Sequence, residues 1–222
     1  MTSFVAQLPY AVLIVSGVLL GLHLANEFYD IAPTKQWITR KVGHLSGFVG
    51  YLLCAYMLSS FIWPLVLSVG FLLLLSVARL LKGATTFRGV ARTSTWAEIW
   101  YPISAGIVVG VMWGIYDKPF LAVFCIGLLG VSDAVTGIVR SKFCKTAQKH
   151  WSGSVAMFLS SLLLAGVFVH PFWIGVIASV FGTLTEWASG DVSKVKLLRK
   201  VDDNISVPLI GMIVVILLTS LG

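Results

Sequence analysis

Eight apolar stretches, at residues 8 to 25, 42 to 58, 62 to 81, 97 to 116, 119 to 139, 151 to 169, 171 to 188 and 205 to 221, occupy 150 of the 222 residues. A helix rises about 1.5 Å per residue, so each is long enough to span, or nearly span, a bilayer core of about 30 Å. Side chains are 58% hydrophobic and 11% charged, where an ordinary soluble domain carries about 25% charge. The expected fold class is therefore all-α: a polytopic transmembrane helical bundle of about eight spans. The 72 residues left over are too few for a separate soluble domain, so residues 1–222 are read as one integral-membrane domain, any chemistry of which must be built from span ends and short loops.

The formal charge of +7 raises the question of nucleic acid, and its distribution answers it. Alternating spans sort the loops into two sets. One holds 26 to 41, 82 to 96, 140 to 150 and 189 to 204; the other holds both termini and the connections at 59 to 61, 117 to 118 and 170. Fifteen of the 16 Lys and Arg fall in or beside the first set, and only Lys118 falls in the second. The positive-inside rule then puts the long loops in the cytoplasm and both termini on the non-cytoplasmic side. The bilayer, not nucleic acid, is the partner this charge implies. Trp37, Trp63, Trp96, Trp151 and Trp173 sit near span boundaries, as interfacial anchors do.

The first span has no basic residue before it and is followed by Glu27 and Asp30, which is unlike a signal peptide, so it is expected to remain in the mature protein. Cys54, Cys125 and Cys144 have neither CxxC nor His-paired spacing and indicate no disulfide framework or zinc site. Gly17 with Gly21, Gly43 with Gly47, and Gly106 with Gly110 and Gly114 are spaced by four and are read as helix-packing faces.

Five clusters of chemically capable residues fall on the cytoplasmic side, and each also has a plain structural explanation. Arg40, Lys41 and His44 open the second span and would put two cations and an imidazole on adjacent helix faces; snorkelling anchors would look the same. Glu98 follows Thr95 by three residues, which is capping-box spacing. Asp133 lies seven residues inside Arg140, about 10 Å deep if helical, where an acid needs a cation, a metal or water. Arg140, Lys142, Lys145 and Lys149 form a basic loop leading into Ser152-Gly153-Ser154. A cation before a Gly/Ser helix start supplies the ingredients of a phosphate cradle, although topogenic charge followed by a Ser cap would serve as well. Finally, Glu186 ends the seventh span and Asp202, Asp203 and Asn204 open the eighth. Acids at a helix start complement its dipole, but a carboxylate near a helix C-terminus does not and needs another reason.

Together these residues offer carboxylate oxygens for Mg²⁺ and cations for a polyphosphate, the two halves of a nucleoside triphosphate site. Neither a GxxxxGK[ST] loop nor a protein-kinase signature is present.

In this order the motifs resemble the polytopic lipid kinases that use CTP, the phytol, dolichol and polyprenol kinases, distantly similar to phosphatidate cytidylyltransferase. The resemblance is carried by RKVGH at 40 to 44, SDAVTGIVRSKF at 132 to 143, KHWSGSVAMF at 149 to 158, TEWAS at 185 to 189 and VDDNISVPL at 201 to 209. It implies γ-phosphoryl transfer from CTP, with Mg²⁺ as cofactor, to the hydroxyl of a long-chain isoprenoid alcohol at the cytoplasmic interface. On that reading Arg40, Lys41, Arg140, Lys149, Ser152, Gly153 and Ser154 contact phosphates, and Asp133, Glu186, Asp202, Asp203 and Asn204 serve the metal. His44, Glu98, Asp133 and Lys149 are the catalytic candidates, His44 and Glu98 being alternative acceptors of the hydroxyl proton. Many relatives have a second acid where this chain has Gly137, and glycines at Arg140 and Cys144. Cytidylyl transfer to a lipid phosphate is the nearest alternative, and a transporter lined by Asp133 and Glu186 a more distant one. A prokaryotic plasma membrane is the expected location, with an organelle membrane and assembly into homo-oligomers left open.

Overall fold

The computed structural model describes residues 4–82, 87–91, 96–143, 149–190 and 201–220; Thr95, Cys144, Lys145 and Asp191 lie outside the described residues. Every regular element among them is helical. After a short 3₁₀ turn, α1 runs over Leu8–Ile31, α2 over Gln36–Met57 and α3 over Ile62–Lys82. The next two rods each contain a π-helical segment: α4, Ala97–Val108, continues through Val109–Ile115, and α5, Pro119–Gly127, passes through Leu128–Asp133 into α6, Ala134–Phe143. α7 covers Trp151–Phe168, α8 Phe172–Ala188 and α9 Asp203–Thr219. Five of these rods are long and apolar enough to cross a membrane, with α8 and α9 shorter apolar helices.

The helices outrun the apolar stretches at the ends that carry charge. α1 continues to Ile31, α2 begins at Gln36 and α6 continues to Phe143, so Arg40, Lys41, Arg140 and Lys142 are helical residues, not loop residues. Hydrophobicity marks where lipid is, whereas backbone hydrogen bonding carries a helix on into the interface.

The α5–α6 rod is the axis of the bundle: 78% of its apolar window is buried, against 28% for α1 and 22% for α3. Its enclosure explains its near-absence of polar side chains until Ser132. Around it, α2 and α7 pack on the π segment and α6, while α4 and α9 pack on α5 and on each other. Phe124, Leu128, Leu129, Met112, Met157 and Val215 form the main core. α1 and α3 lie outside, α1 on α2 and α3 on α4, with apolar side chains such as Leu13, Leu20, Leu73 and Val66 exposed as lipid-facing residues would be.

The small-residue faces divide. A Cβ at Gly21 would run into Ser46, one at Gly43 into Val90 and one at Gly47 into Tyr101, so these glycines do permit close contact. Gly17 and Gly110 face nothing within 4 Å, and the packing expectation does not extend to them.

Candidate active site

Asp133 closes the π segment of the central rod and is 3% exposed. Its surroundings depend on how closely α2 approaches. A Cβ at Gly130 would stand 2.6 Å from Phe48 Cβ and 3.3 Å from the His44 carbonyl oxygen, so only glycine allows this contact. The approach delivers Lys41 and His44 to Asp133. Lys41 Nζ forms an ion pair with Asp133 Oδ2, and His44 Nδ1 stands 3.8 Å from the same oxygen. The cation that a deeply placed acid requires is therefore Lys41. Gly137, one turn after Asp133, lies under the Lys41 stem, where a Cβ would be 3.2 Å from Lys41 Cε.

Glu186, in the last turn of α8 and 2% exposed, has the reason its sequence position lacks. Lys149, just before α7, donates both to its carboxylate and to its backbone carbonyl, neutralising the side chain and the negative end of the helix with one ammonium. Arg140 Nη1 of α6 approaches the same carboxylate at 3.6 Å. After α8, Gly190 turns the chain at φ 84°, a left-handed conformation natural to glycine, and its N–H donates to Val201 O at 2.9 Å. This return brings the start of α9 beside the end of α8.

The result is a cluster of three carboxylates from three rods. One oxygen each from Asp133, Glu186 and Asp203 lie within 4.8 Å of one another, two of the residues buried and Asp203 half-buried. Oxygen donors alone, converging at the edge of a basic rim, fit a hard divalent cation such as Mg²⁺ better than zinc. Asp202 and Asn204 are positioned differently. Asp202 is the N-cap of α9, its Oδ1 accepting the Asn204 backbone N–H at 2.9 Å. Burial pushes its carboxyl up to about 6; the neighbouring Asp203 charge adds to the rise, while the Asn204 N–H and the Arg40 charge oppose it. Asn204 is turned to α4, its Nδ2 donating to Ala97 O at 2.7 Å, and its own carbonyl accepts from Ser104 Oγ at 2.7 Å.

The start of α7 is capped by a residue that the sequence did not single out. His150 Nδ1 accepts the Ser152 N–H at 3.2 Å and meets Ser152 Oγ at 2.7 Å. Gly153 packs against α6, where a Cβ would be 3.2 Å from Thr136 Cγ2. Ser154 is half-buried on the next helical position. Glu98 stands apart from the acid cluster: its Oε1 takes a hydrogen bond from Arg79 Nη1 at 2.8 Å, and the Arg79 guanidinium lies 5.1 Å from the centre of the Trp96 ring. The N-cap of α4 is Trp96, which makes no side-chain capping bond.

Two further residues shape the site. Tyr101 stacks on His44 with ring centroids 5.1 Å apart and donates to the His44 carbonyl at 3.1 Å, fixing both ring and backbone. Arg79 fixes Glu98. In the sequence Tyr101 reads as one more interfacial aromatic and Arg79 as one more topogenic charge; only their offsets from Glu98, +3 and −19, hint at a relation, and the second is invisible without the fold.

A protein from Triticum aestivum described as a probable chloroplastic phytol kinase is 32% identical to this chain over 132 residues, which is 54% of this chain and 43% of that protein. The aligned stretch thus spans less than half the length of that relative. No family model matches the chain, and no solved structure matches it.

Proposed function

We propose that this chain is a membrane-embedded kinase that transfers the γ-phosphoryl group of CTP, with Mg²⁺, to the hydroxyl of a long-chain isoprenoid alcohol. The observation that carries the reading is the three-carboxylate cluster of Asp133, Glu186 and Asp203 inside a rim of Lys41, Lys149 and Arg140. Three acids that close need positive charge, and three cations in the same place suit the trianionic end of a triphosphate. The stretch of likeness to a phytol kinase supports a kinase with an isoprenoid acceptor; CTP as donor follows from the motif resemblance.

In this reading the eight rods thread the bilayer alternately, both termini lie outside, and the acid cluster faces the cytoplasm with the 15 clustered Lys and Arg. Asp133, Glu186 and Asp203 would hold Mg²⁺, with Asp202 and Asn204 supporting the start of α9, and the ion would supply charge neutralisation at the phosphate oxygens. Lys149, Lys41 and Arg140 exchange their carboxylate partners for phosphate oxygens, and Arg40 at the start of α2 adds a further cation, which positions the γ-phosphorus. The alcohol oxygen forms a bond to that phosphorus, the bond from phosphorus to the β–γ bridging oxygen breaks, CDP departs, and the hydroxyl proton passes to His44. His44 is the favoured acceptor over Glu98 because it adjoins Asp133 directly, whereas Glu98 is held by Arg79.

The experiment follows α- and γ-labelled CTP with purified protein in proteoliposomes and a panel of isoprenoid alcohols and lipid phosphates. Label from the γ position in lipid with release of CDP is the expected result. Label from the α position in lipid with release of pyrophosphate would identify a cytidylyltransferase, and ATP outcompeting CTP would change the donor.

A further inference from the structure

A second space borders the acid cluster through His44, which lines the one and adjoins the other. It is enclosed by α1, α2, α3 and α4, has a volume of about 60 Å³, and is walled by Val18, Leu22, Leu67, Phe71 and Leu75. At roughly 10–15 Å³ per water-sized group it holds several such groups. Val90 closes one end. The short segment bearing Val90 is tied down by polar side chains of the first two helices: Gly89 N–H donates to Asn26 Oδ1 at 2.9 Å, Thr39 donates to Gly89 O at 2.5 Å, and Gln36 Nε2 donates to the Arg88 and Ala91 carbonyls, each at 2.9 Å. The roof is built, not accidental.

The same space has a polar side. His44 and Glu98 both line it, 6% and 7% exposed. Glu98 Oε2 is buried and has no hydrogen-bond partner among the described residues, whereas His44 Nδ1 is turned to Asp133 Oδ2 at 3.8 Å. Leaving a buried carboxylate oxygen unpaired costs about 1–3 kcal/mol. An apolar chamber with that oxygen and the His44 ring on its lining is shaped for an occupant that is greasy along its length and carries a hydrogen-bonding group at its tip. His44 is also the residue that adjoins Asp133, so a hydroxyl at the polar side of the chamber sits at the border of the carboxylate cluster.

We propose that this chamber is the acceptor subsite: it takes the hydroxyl end and first isoprene unit of the alcohol, with the hydroxyl at His44 and Glu98 and the remaining chain leaving between the loosely enclosed α1 and α3 into lipid. The proposal rests on the kinase reading and adds the location of its second substrate. Glu98, fixed by Arg79, acts here as a positioning residue that holds the head of the alcohol while His44 faces the reaction. The chamber's apolar walls exclude water, so a hydroxyl on a prenyl chain is favoured over a water molecule as the phosphoryl acceptor.

A photoreactive isoprenoid alcohol bearing a diazirine on its first isoprene unit tests this with the wild-type protein in proteoliposomes. The expected adducts map to Val18, Leu22, Leu67, Phe71 or Leu75 and disappear with excess unlabelled alcohol. Adducts confined to other helices, or insensitive to competitor, overturn the subsite even if γ-phosphoryl transfer is observed. Adducts in the chamber without nucleotide consumption keep the subsite and overturn the kinase reading. As a second measurement, Val18→Phe, which narrows the chamber, raises KM for the alcohol about tenfold and leaves KM for CTP unchanged; equal effects on both would point to a general disturbance of the bundle and count against the subsite.

Discussion

Lys41 on α2 and Asp133 on the central rod form an ion pair across 92 residues of sequence, with the carboxylate almost wholly enclosed. The pair serves two roles that a double substitution separates. Removing one partner leaves an uncompensated buried charge, whereas removing both leaves an apolar contact that a bundle tolerates. Lys41→Met alone should therefore lower unfolding stability by about 3–5 kcal/mol. Lys41→Met combined with Asp133→Leu should recover most of that loss while phosphoryl transfer remains abolished. Thermal unfolding in detergent gives the first quantity and γ-label transfer the second. Recovery of activity in the double variant would remove Asp133 from the chemistry.

Asp133, Glu186 and Asp203 should bind a divalent cation in the protein without nucleotide, which Mn²⁺ reports through its paramagnetic resonance. Asp203→Asn, at the half-buried position of the cluster, removes a donor with little change in packing and should weaken Mn²⁺ binding about tenfold or more, in line with the loss of one charge-assisted ligand. Chelation by EDTA should stop transfer and added Mg²⁺ restore it.

The pH dependence has a definite sign. Burial and Asp203 raise the Asp202 carboxyl to about 6. Because the folded-state value is raised, the contribution of this group to stability is full below the usual carboxylate range and is lost as pH rises through about 6. A cation beside Asp203 benefits from the ionised form instead, so Mn²⁺ affinity should fall as pH drops through about 6. Asp202→Asn retains a good N-cap residue and should flatten that step. An unchanged pH profile in the variant would show that Asp202 does not influence the cation.

The sequence makes the helical bundle legible because lipid imposes long apolar runs, and among the described residues each of the eight stretches overlaps one helical rod, five of them long and apolar enough to cross a membrane. It also names the acids and bases that meet. What it does not contain is their pairing: Lys41 meets Asp133 because Gly130 admits Phe48, Lys149 meets Glu186 because α7 packs on α8, and Asp203 joins them through the turn at Gly190, none of which has a periodic signature. Thr95 and Glu98 have capping-box spacing, yet Glu98 serves an ion pair with Arg79, since in a buried setting a full cation outweighs a backbone N–H. Likewise the Ser152 N–H, counted toward a phosphate cradle, is already taken by His150.

His44 and Glu98 should fail in different ways. With neighbouring groups intact, His44→Ala loses the proton acceptor and should lower kcat about 10²–10⁴-fold with KM for CTP nearly unchanged. Glu98→Gln keeps the shape of the side chain but discharges the Arg79 pair, so its main effect should be on KM for the alcohol. Steady-state kinetics with both substrates varied distinguish these patterns. A reversal, with kcat lost at Glu98 and KM at His44, would exchange the two roles.

Asn204, expected from the sequence to serve the metal, ties the start of α9 to α4. Its side-chain amide holds Ala97 O, its carbonyl holds Ser104 Oγ, and both bonds are buried between α9 and α4. Asn204→Ala removes the side-chain bond to the Ala97 carbonyl, which the α4 helix already engages, and should cost about 0.5–1.5 kcal/mol, which is readable as a lowered Tm. Asp203 is the preceding residue, so loosening this joint also lets the start of α9 move relative to Asp133 and Glu186, and cation affinity should fall with stability. Ser104→Ala breaks only the second bond and leaves the amide in place, so it should lower Tm by a smaller amount and retain most Mn²⁺ affinity. If Asn204→Ala weakened cation binding with no change in Tm, Asn204 would be a ligand and not a strut, and the carbonyl oxygen of its side chain, buried without a partner among the described residues, would be the donor to examine next.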